Sequence, residues 1–144
     1  MAISIVICSS FRFYPDVLEL QKQLEEAGIR TEIPVPNEFL HPKKPWLLRN
    51  KLIISQPELF EAFWRNMELH RHRILETDIV YVYGGREGYV GNGVCSEMGF
   101  AYGIKKYCSY EKPRTILSSS ELADIAMRGF IEEIIPPENL IKRL

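Results

Sequence analysis

Two apolar runs along the chain predict strands that are buried on both faces of a sheet. ISIVIC occupies residues 3–8, and DIVYVYGG occupies residues 78–85. Neither run follows a regular alternation of apolar and polar positions, once the leading aspartate and the final glycines of the second run are set aside. Unbroken β-branched runs are typical of the centre of a parallel sheet. We therefore predict that these two segments form central parallel strands.

Helical spacing of apolar residues separates and follows these strands. The pattern predicts four helices, over residues 14–29, 56–77, 92–106 and 119–134. Gly28 lies at the C-terminal end of the first helix, where glycine is favoured, and Pro57 lies in the first turn of the second. The third helix begins at either Asn92 or Ser96.

Weaker patterns complete the predicted sheet. Residues 30–36 form a short strand, and the prolines from Pro34 onward confine it to an edge, because proline cannot donate a hydrogen bond to a neighbouring strand. A further strand lies at either 107–110 or 114–118, and residues 135–144 form a short tail. The alternation of strands and helices indicates an α/β protein with a doubly wound parallel sheet of about five strands and helices on both faces.

One segment interrupts this alternation. Residues 36–56 carry Pro36, Pro42 and Pro45 beside a tryptophan and several basic residues, which predicts a long excursion or lid. The chain has 144 residues, a length that fits one ordinary domain. We therefore predict a single domain over residues 1–144.

Composition narrows the classes of function. Apolar residues make up 46% of the chain and charged residues 26%, which is typical of a globular protein. The net charge is −1 and the basic residues are scattered, so we expect a small-molecule ligand and no nucleic acid polymer. No apolar run approaches the length of a membrane span, and the N-terminal segment lacks the pattern of a signal peptide. We expect a cytoplasmic protein that does not enter a membrane.

The cysteines and histidines do not indicate a metal site. Cys8, Cys95 and Cys108 are odd in number and show no CxxC spacing, which argues against a disulfide framework or a structural zinc site. We predict that they are small buried side chains. His70 and His72 are two residues apart and therefore point to different sides of a helix. We predict no metal ion and no cofactor.

A glycine-rich loop follows the second predicted strand. Seven of the nine glycines of the chain lie within residues 83–103. Glycine permits a positive φ and a close approach of the backbone to a ligand, and parallel sheets bind ligands beyond the carboxyl ends of their strands. We predict that Gly88, Gly91, Asn92 and Gly93 contact a phosphate or a sugar. The spacing matches neither a Walker A motif nor the dinucleotide-binding glycine pattern, so a simple turn is the alternative.

Glu97 is the acidic residue that follows this loop. It falls in or near the first turn of the predicted helix, where the helix dipole favours an ionised carboxylate. One interpretation is an ordinary charge near a helix start. The other is a nucleophile that attacks C1′ of a sugar and forms a covalent glycosyl intermediate.

Two segments together resemble one enzyme superfamily. The first joins the strand that begins at Asp78 to the sequence GYVGNGVCSEMGFA at 88–101, and the second is IVICSSFRF at 5–13. Both resemble the nucleoside 2-deoxyribosyltransferase-like superfamily, which includes nucleoside deoxyribosyltransferases and nucleoside 5′-monophosphate N-glycosidases. The second segment is similar to the first strand and loop of its small uncharacterised prokaryotic members. The resemblance covers most of the chain, with residues 36–56 the least matched part.

The resemblance implies a Rossmann-like, flavodoxin-like fold and a reaction at the N-glycosidic bond of a nucleoside or nucleoside 5′-monophosphate. The bond would be cleaved or transferred, with Glu97 as the nucleophile by motif position. Ser9, Ser10, Phe11 and Arg12 would contact the base or sugar, and Arg12 could also pair with a 5′-phosphate. The resemblance also implies a homodimer or larger homo-oligomer, in which neighbouring subunits complete each pocket.

The same resemblance singles out His70. Many transferase members carry an aspartate eight residues before the aspartate that leads the strand, and His70 occupies that position here. Histidine can act as a general acid near neutral pH. The alternative is a non-catalytic nucleotide-binding or sensing module of the same fold. A third hypothesis is the related phosphoribohydrolase group, whose glycine loop and glutamate resemble Gly84, Gly85 and Glu97. The gap between the glycines and the glutamate is longer here than in that group.

Overall fold

The computed structural model describes residues 2–34, 40–41, 44–48 and 50–144. A 3-10 turn at Phe11–Phe13 follows the first strand. The remaining elements, in chain order, are β1 (Ser4–Ser9), α1 (Tyr14–Glu26), β2 (Arg30–Glu32), β3 (Leu40–His41), β4 (Lys44–Leu48), α2 (Asn50–Ser55), α3 (Pro57–Glu76), β5 (Ile79–Tyr83), α4 (Asn92–Tyr107), β6 (Thr115–Ser118), α5 (Ile125–Arg128), β7 (Glu133–Ile134) and α6 (Pro137–Arg143).

Five strands form one sheet in the order β2-β1-β5-β6-β7, and every neighbouring pair is parallel. Counted in chain order within this sheet, the order is 2-1-3-4-5, which is that of flavodoxin-like doubly wound folds. The predicted α/β class and Rossmann-like sheet are confirmed. The strand order reverses between β1 and β5, and such sheets bind ligands at this point.

Helices cover both faces of the sheet. Successive side chains of the buried strands point to opposite sides, so each of these strands packs against helices on both faces. On β1, Ile5 and Ile7 belong to an apolar cluster with residues of α1 and α6. Val6 and Cys8 belong to a second cluster with residues of α3 and α4. The continuous apolar runs of β1 and β5 therefore have the physical cause that the sequence predicted, which is burial on both faces.

Two polar contacts tie distant parts of the chain to β5. Asp78, directly before this strand, accepts hydrogen bonds from the backbone N–H of Ser4 at 3.0 Å and from its Oγ at 3.2 Å. These bonds join the amino ends of β1 and β5. Within β5, the buried Tyr81 hydroxyl donates to the carbonyl of Ile135 at 2.7 Å and so fixes the chain between β7 and α6.

The predicted helix over 119–134 is wrong. A helix is present there only at Ile125–Arg128, and the chain then enters β7. The Ser119 Oγ accepts a bond from the Gly84 N–H, and the Ser120 Oγ donates to the Gly85 carbonyl. These bonds to the glycine loop hold the start of the segment outside helical geometry.

The other uncertain elements are also resolved. β6 confirms the strand alternative at 114–118, and α4 confirms the helix start at Asn92. The predicted tail contains α6, whose Leu140 is fully buried. Cys8 is buried as predicted, but the same prediction is wrong for Cys108, which is exposed, and for Cys95, which is half-buried.

The edge position predicted for the strand at 30–36 is confirmed by β2, which is shorter than predicted. The predicted excursion at 36–56 falls partly outside the described residues. Its described part contains the antiparallel hairpin of β3 and β4 and the helix α2. β4 lies close to the 3-10 turn at Phe11–Phe13. Among the described residues, no helix has both the length and the apolar character needed to cross a bilayer.

Candidate active site

A pocket of about 490 Å³ lies beyond the carboxyl ends of β1 and β5, at the point where the strand order reverses. The loops that follow both strands contribute to it, as the sequence predicted. α3 supplies a third wall and the start of α4 a fourth. The lining residues are Ser9, Ser10, Phe11, Pro34, Phe63, Asn66, Met67, His70, Tyr89, Gly91, Asn92, Gly93, Val94 and Glu97.

The loop after β1 brings three of the predicted residues to the pocket. Ser9 ends the strand and is buried, whereas Ser10 and Phe11 are half-buried. The Ser10 Oγ accepts a weak hydrogen bond from the Arg12 N–H at 3.4 Å and so caps the 3-10 turn. Ser10 therefore both lines the pocket and caps the 3-10 turn.

Arg12 and Gly88 lie outside the pocket lining. The Arg12 side chain is exposed, and its guanidinium stacks on the ring of Tyr89, 3.8 Å from the centroid. Gly88 has φ +70°, and a Cβ built on it would lie 1.9 Å from the carbonyl oxygen of Glu121. Its carbonyl accepts a bond from the Ala123 N–H. Gly88 therefore shapes the loop behind the pocket, and Arg12 reaches the site through Tyr89.

The start of α4 faces the pocket. Gly91 is the N-cap residue, with extended backbone and no side-chain capping bond, and Asn92 and Gly93 begin the helix. All three line the pocket. The first backbone N–H groups of an α-helix have no partner within the helix and carry its positive dipole end. This wall can donate hydrogen bonds to an anionic or polar ligand.

Three side chains from different elements meet beside the pocket, and two of them, His70 and Glu97, line it. We refer to Cys8 of β1, His70 of α3 and Glu97 of α4 as the triad. Nε2 of His70 lies 3.7 Å from Sγ of Cys8 and 3.7 Å from Oε2 of Glu97. The Cys8 sulfur, a ring nitrogen of His70 and a carboxylate oxygen of Glu97 all lie within 4.8 Å of one another. Each side chain is buried, with Glu97 4% exposed and His70 3% exposed.

Helical spacing explains how α3 presents His70. Phe63, Asn66, Met67 and His70 recur at intervals of three and four residues, so they share the face of α3 that lines the pocket. His72 lies on another side and is exposed, as the two-residue separation predicted. His70 and His72 therefore have different environments, because His70 is buried at the pocket and His72 is exposed.

Burial dominates the protonation of the triad. It raises the pKa of Glu97 to about 7, opposed in part by a hydrogen bond from Cys8 and the charge of Arg71. It lowers the pKa of His70 to about 4, and the charges of Arg73 and Arg71 act in the same direction. At neutral pH the imidazole is uncharged, so its approach to Glu97 is not an ion pair. Burial also raises the pKa of the Cys8 thiol well above its usual range.

Glu97 therefore differs from the predicted carboxylate at a helix start. Because α4 begins at Asn92, Glu97 lies in the second turn, away from the strongest field of the helix dipole. The predicted effect of the dipole was to keep this carboxylate ionised, but burial has the larger effect and opposes it. At pH 7 the carboxyl group is close to its pKa.

Two buried polar atoms of the triad lack hydrogen-bond partners. These are Oε2 of Glu97 and Nδ1 of His70, within the part of the chain that the structure describes. The backbone of Ile7 raises the pKa of His70, which is the smallest effect on it, but no hydrogen bond of good geometry reaches Nδ1. Unpaired buried polar groups are rare in folded proteins and often mark functional sites.

No protein-family model matches the chain, and no curated protein matches it.

The structure brings together most of the residues that the sequence singled out. Eight of them line the pocket, namely Ser9, Ser10, Phe11, His70, Gly91, Asn92, Gly93 and Glu97. The sequence reasoning missed the rest of the α3 face and Tyr89. It also missed Cys8 as a neighbour of Glu97. The spacing of Phe63, Asn66 and Met67 relative to His70 was a signal that could have found them.

Proposed function

We propose that the chain cleaves or transfers the N-glycosidic bond of a nucleoside or nucleoside 5′-monophosphate, with Glu97 as the nucleophile. The observation that carries this proposal is the position of Glu97. Its carboxyl group is buried at the base of a pocket of about 490 Å³, and one of its oxygens has no hydrogen-bond partner among the described residues. No hydrogen bond within the described residues has to break before this oxygen turns toward a substrate atom.

The walls of the pocket suit the two halves of a nucleoside. Phe11, Phe63, Met67 and Tyr89 provide aromatic and apolar surface of the kind on which a planar base packs. The start of α4 offers backbone N–H groups to sugar hydroxyls or a phosphate. The volume of about 490 Å³ lies within the range of pockets that hold small molecules.

The reaction divides into two displacements at C1′. The ionised carboxylate of Glu97 attacks C1′, the C1′–N bond breaks, and the base leaves with the bonding electrons and takes a proton from solvent. Water, or the nitrogen of a second base, then attacks C1′ and releases the carboxylate, so the configuration at C1′ is retained.

His70 serves this scheme as a positioning residue. We predicted a proton donor at this place, but a pKa of about 4 leaves the imidazole uncharged at neutral pH and does not favour that role. Its Nε2 instead faces Oε2 of Glu97 at 3.7 Å, where it limits the orientations of the carboxyl group.

The test is release of free base from a panel of ribo- and deoxyribonucleosides and their 5′-monophosphates, followed by chromatography. We expect Glu97→Gln to lower the rate by about a thousandfold or more, because it removes the nucleophile with little change of volume. Glu87→Gln is the matched control, since Glu87 is an exposed glutamate of the same glycine loop. It should leave the rate unchanged.

Two further measurements test the mechanism and the non-catalytic alternative. Intact-protein mass spectrometry after an acid quench should show a glycosyl adduct that Glu97→Gln abolishes. Loss of activity on 5′-monophosphates alone in Arg12→Ala would assign the phosphate to the Tyr89 side of the pocket. Binding of a nucleotide without release of any base would instead support the non-catalytic nucleotide-binding module. Absence of both binding and release would refute the proposal.

A further inference from the structure

The triad combines the three kinds of ligand that zinc prefers. A thiol, an imidazole nitrogen and a carboxylate oxygen converge from Cys8, His70 and Glu97, with their ligand atoms all within 4.8 Å of one another. Catalytic and regulatory zinc sites commonly have three such protein ligands and leave a fourth position open. We infer that the triad is a binding site for Zn²⁺, with its open position toward the pocket. The inference rests on this geometry and departs from our sequence-based expectation of no metal ion.

The two distances from Nε2 of His70 are close to those of a tetrahedral site. Zn–S bonds of ~2.3 Å and Zn–N bonds of ~2.05 Å at a tetrahedral angle place sulfur and nitrogen ~3.6 Å apart, and nitrogen and oxygen ~3.4 Å apart. In the structure, Nε2 of His70 lies 3.7 Å from both Sγ of Cys8 and Oε2 of Glu97. Contraction by a few tenths of an ångström, which side-chain rotation supplies, brings these two pairs to metal-binding separations.

The unpaired carboxylate oxygen gives independent support. Oε2 of Glu97 has no hydrogen-bond partner among the described residues, and the residue is only 4% exposed. His70 is 3% exposed, and its Nε2 faces the other two ligand atoms. A Zn²⁺ ion between the three side chains would give this carboxylate oxygen a partner and would bind Nε2 of His70, the imidazole nitrogen that faces it.

The ligand types favour zinc over the more abundant hard cations. Mg²⁺ and Ca²⁺ prefer six or more oxygen ligands, whereas the triad offers sulfur, nitrogen and a single carboxyl group. On binding, the Cys8 thiol loses its proton to solvent and the thiolate joins the metal, so one thiolate and one carboxylate balance the charge of Zn²⁺.

A bound zinc ion would exclude the nucleophilic role of Glu97. The lone pair that attacks C1′ in the proposed function is the one that would coordinate the metal. The Glu97 carboxylate can therefore either coordinate Zn²⁺ or attack C1′, but it cannot do both at once. Zn²⁺ should inhibit release of base, and a chelator should restore it.

The deciding experiment measures metal binding without any substrate. The protein used is the full chain with the substitutions Cys95→Ser and Cys108→Ser, which remove the two cysteines outside the triad. After treatment with a chelator, Zn²⁺ is titrated in competition with a chromogenic chelator, and Mg²⁺ serves as the control ion. We expect one Zn²⁺ per chain and no competition by Mg²⁺. Because loss of an outer-sphere partner already weakens metal sites by 10–100-fold, Cys8→Ser should weaken binding by about a hundredfold or more.

Two companion measurements keep the test decisive if Cys8→Ser folds poorly. His70→Gln should weaken Zn²⁺ binding in the same way, whereas His72→Gln, at an exposed histidine of the same helix, should not. Titration with Co²⁺ should produce a thiolate-to-metal charge-transfer absorption in the near-ultraviolet, together with the intense visible bands of a tetrahedral site. The inference is overturned if Zn²⁺ fails to bind in stoichiometric amount, or if His70→Gln and His72→Gln bind it equally. Because this result needs no substrate, it is independent of whether the chain releases a base.

Discussion

Gly88 provides a sharp test of how the glycine loop is built. Its φ of +70° lies in the left-handed region, and a Cβ at this position would lie 1.9 Å from the Glu121 carbonyl oxygen and 2.9 Å from its carbon. Real Cβ atoms do not approach backbone this closely, so Gly88→Ala must move either the loop or the segment at 121–123. Both are held by backbone bonds, from the Ala123 N–H to the Gly88 carbonyl and from the Tyr89 N–H to the Gly84 carbonyl.

The cost can be assembled from its parts. An alanine with the left-handed backbone conformation costs about 1–2 kcal/mol. About 0.4–1 kcal/mol is subtracted from this cost, because alanine lowers the entropy of the unfolded chain. Moving the loop away from residues 121–123 puts the bond between Ala123 and Gly88 at risk, and a change of shape within the loop puts the bond between Tyr89 and Gly84 at risk. Each bond is worth about 0.5–1.5 kcal/mol. We therefore expect Gly88→Ala to lower the free energy of unfolding by about 2–4 kcal/mol, a large part of the 5–15 kcal/mol typical of a domain.

Two other glycines separate the contributions. Gly28 has φ +81° with open space around it, so Gly28→Ala should cost about 1 kcal/mol, for the backbone conformation alone. Gly103 lies inside α4, with no atom within 4 Å of an added Cβ, so Gly103→Ala should stabilise by about 0.5–1 kcal/mol.

Urea denaturation of the three variants, followed by circular dichroism, measures these differences. The expected order of stability is Gly103→Ala, wild type, Gly28→Ala and Gly88→Ala. If Gly88→Ala is no less stable than Gly28→Ala, the packing of the loop against Glu121 is not as described. The loop that carries Tyr89 to the pocket would then have a different support.

Two further predictions concern the contacts of β5. Burial alone would raise the pKa of Asp78, but the hydrogen bonds from Ser4 and Lys112 lower it overall. The stabilisation is therefore present above the unfolded pKa of about 4 and is lost as the pH falls through the folded value, so Asp78→Ala should cost about 1–3 kcal/mol at pH 7 and progressively less in acid. Tyr81→Phe should cost about 1–2 kcal/mol, because it leaves a buried carbonyl without its 2.7 Å bond. Tyr83→Phe is the control, since its 3.4 Å bond is exposed, and equal costs for the two variants in urea denaturation would contradict the assignment.

Much of the scaffold was predictable from local patterns. β1 and β5 are buried on both faces, and such strands carry continuous apolar runs that few other elements show. α1, α3 and α4 are long enough for their apolar spacing to be read. Because the strand order of a doubly wound sheet places its ligand site, the approximate position of Ser9, Asn92 and Glu97 followed as well.

The C-terminal third was harder to predict because its elements are short. β7 has two residues and α5 has four, which is too few for either period to appear. The apolar spacing over 119–134 resembles a helix, but Ser119 and Ser120 bond to the backbone of residues 84–85. Such bonds join segments 35 residues apart, and no local propensity encodes them.

The sequence by itself determined the parallel sheet, its central strands and the edge of the sheet at which the pocket lies, because these follow from apolar periodicity and from the chirality of strand connections. The tertiary structure alone decided the chemistry at that place. Positions 8, 70 and 97 belong to three separate elements, and their convergence depends on how α3 and α4 pack on β1. Burial, a property of that packing, raises the pKa of Glu97 to about 7 and leaves His70 uncharged. A linear pattern shows which residues are present, but only their packing determines which protons they hold.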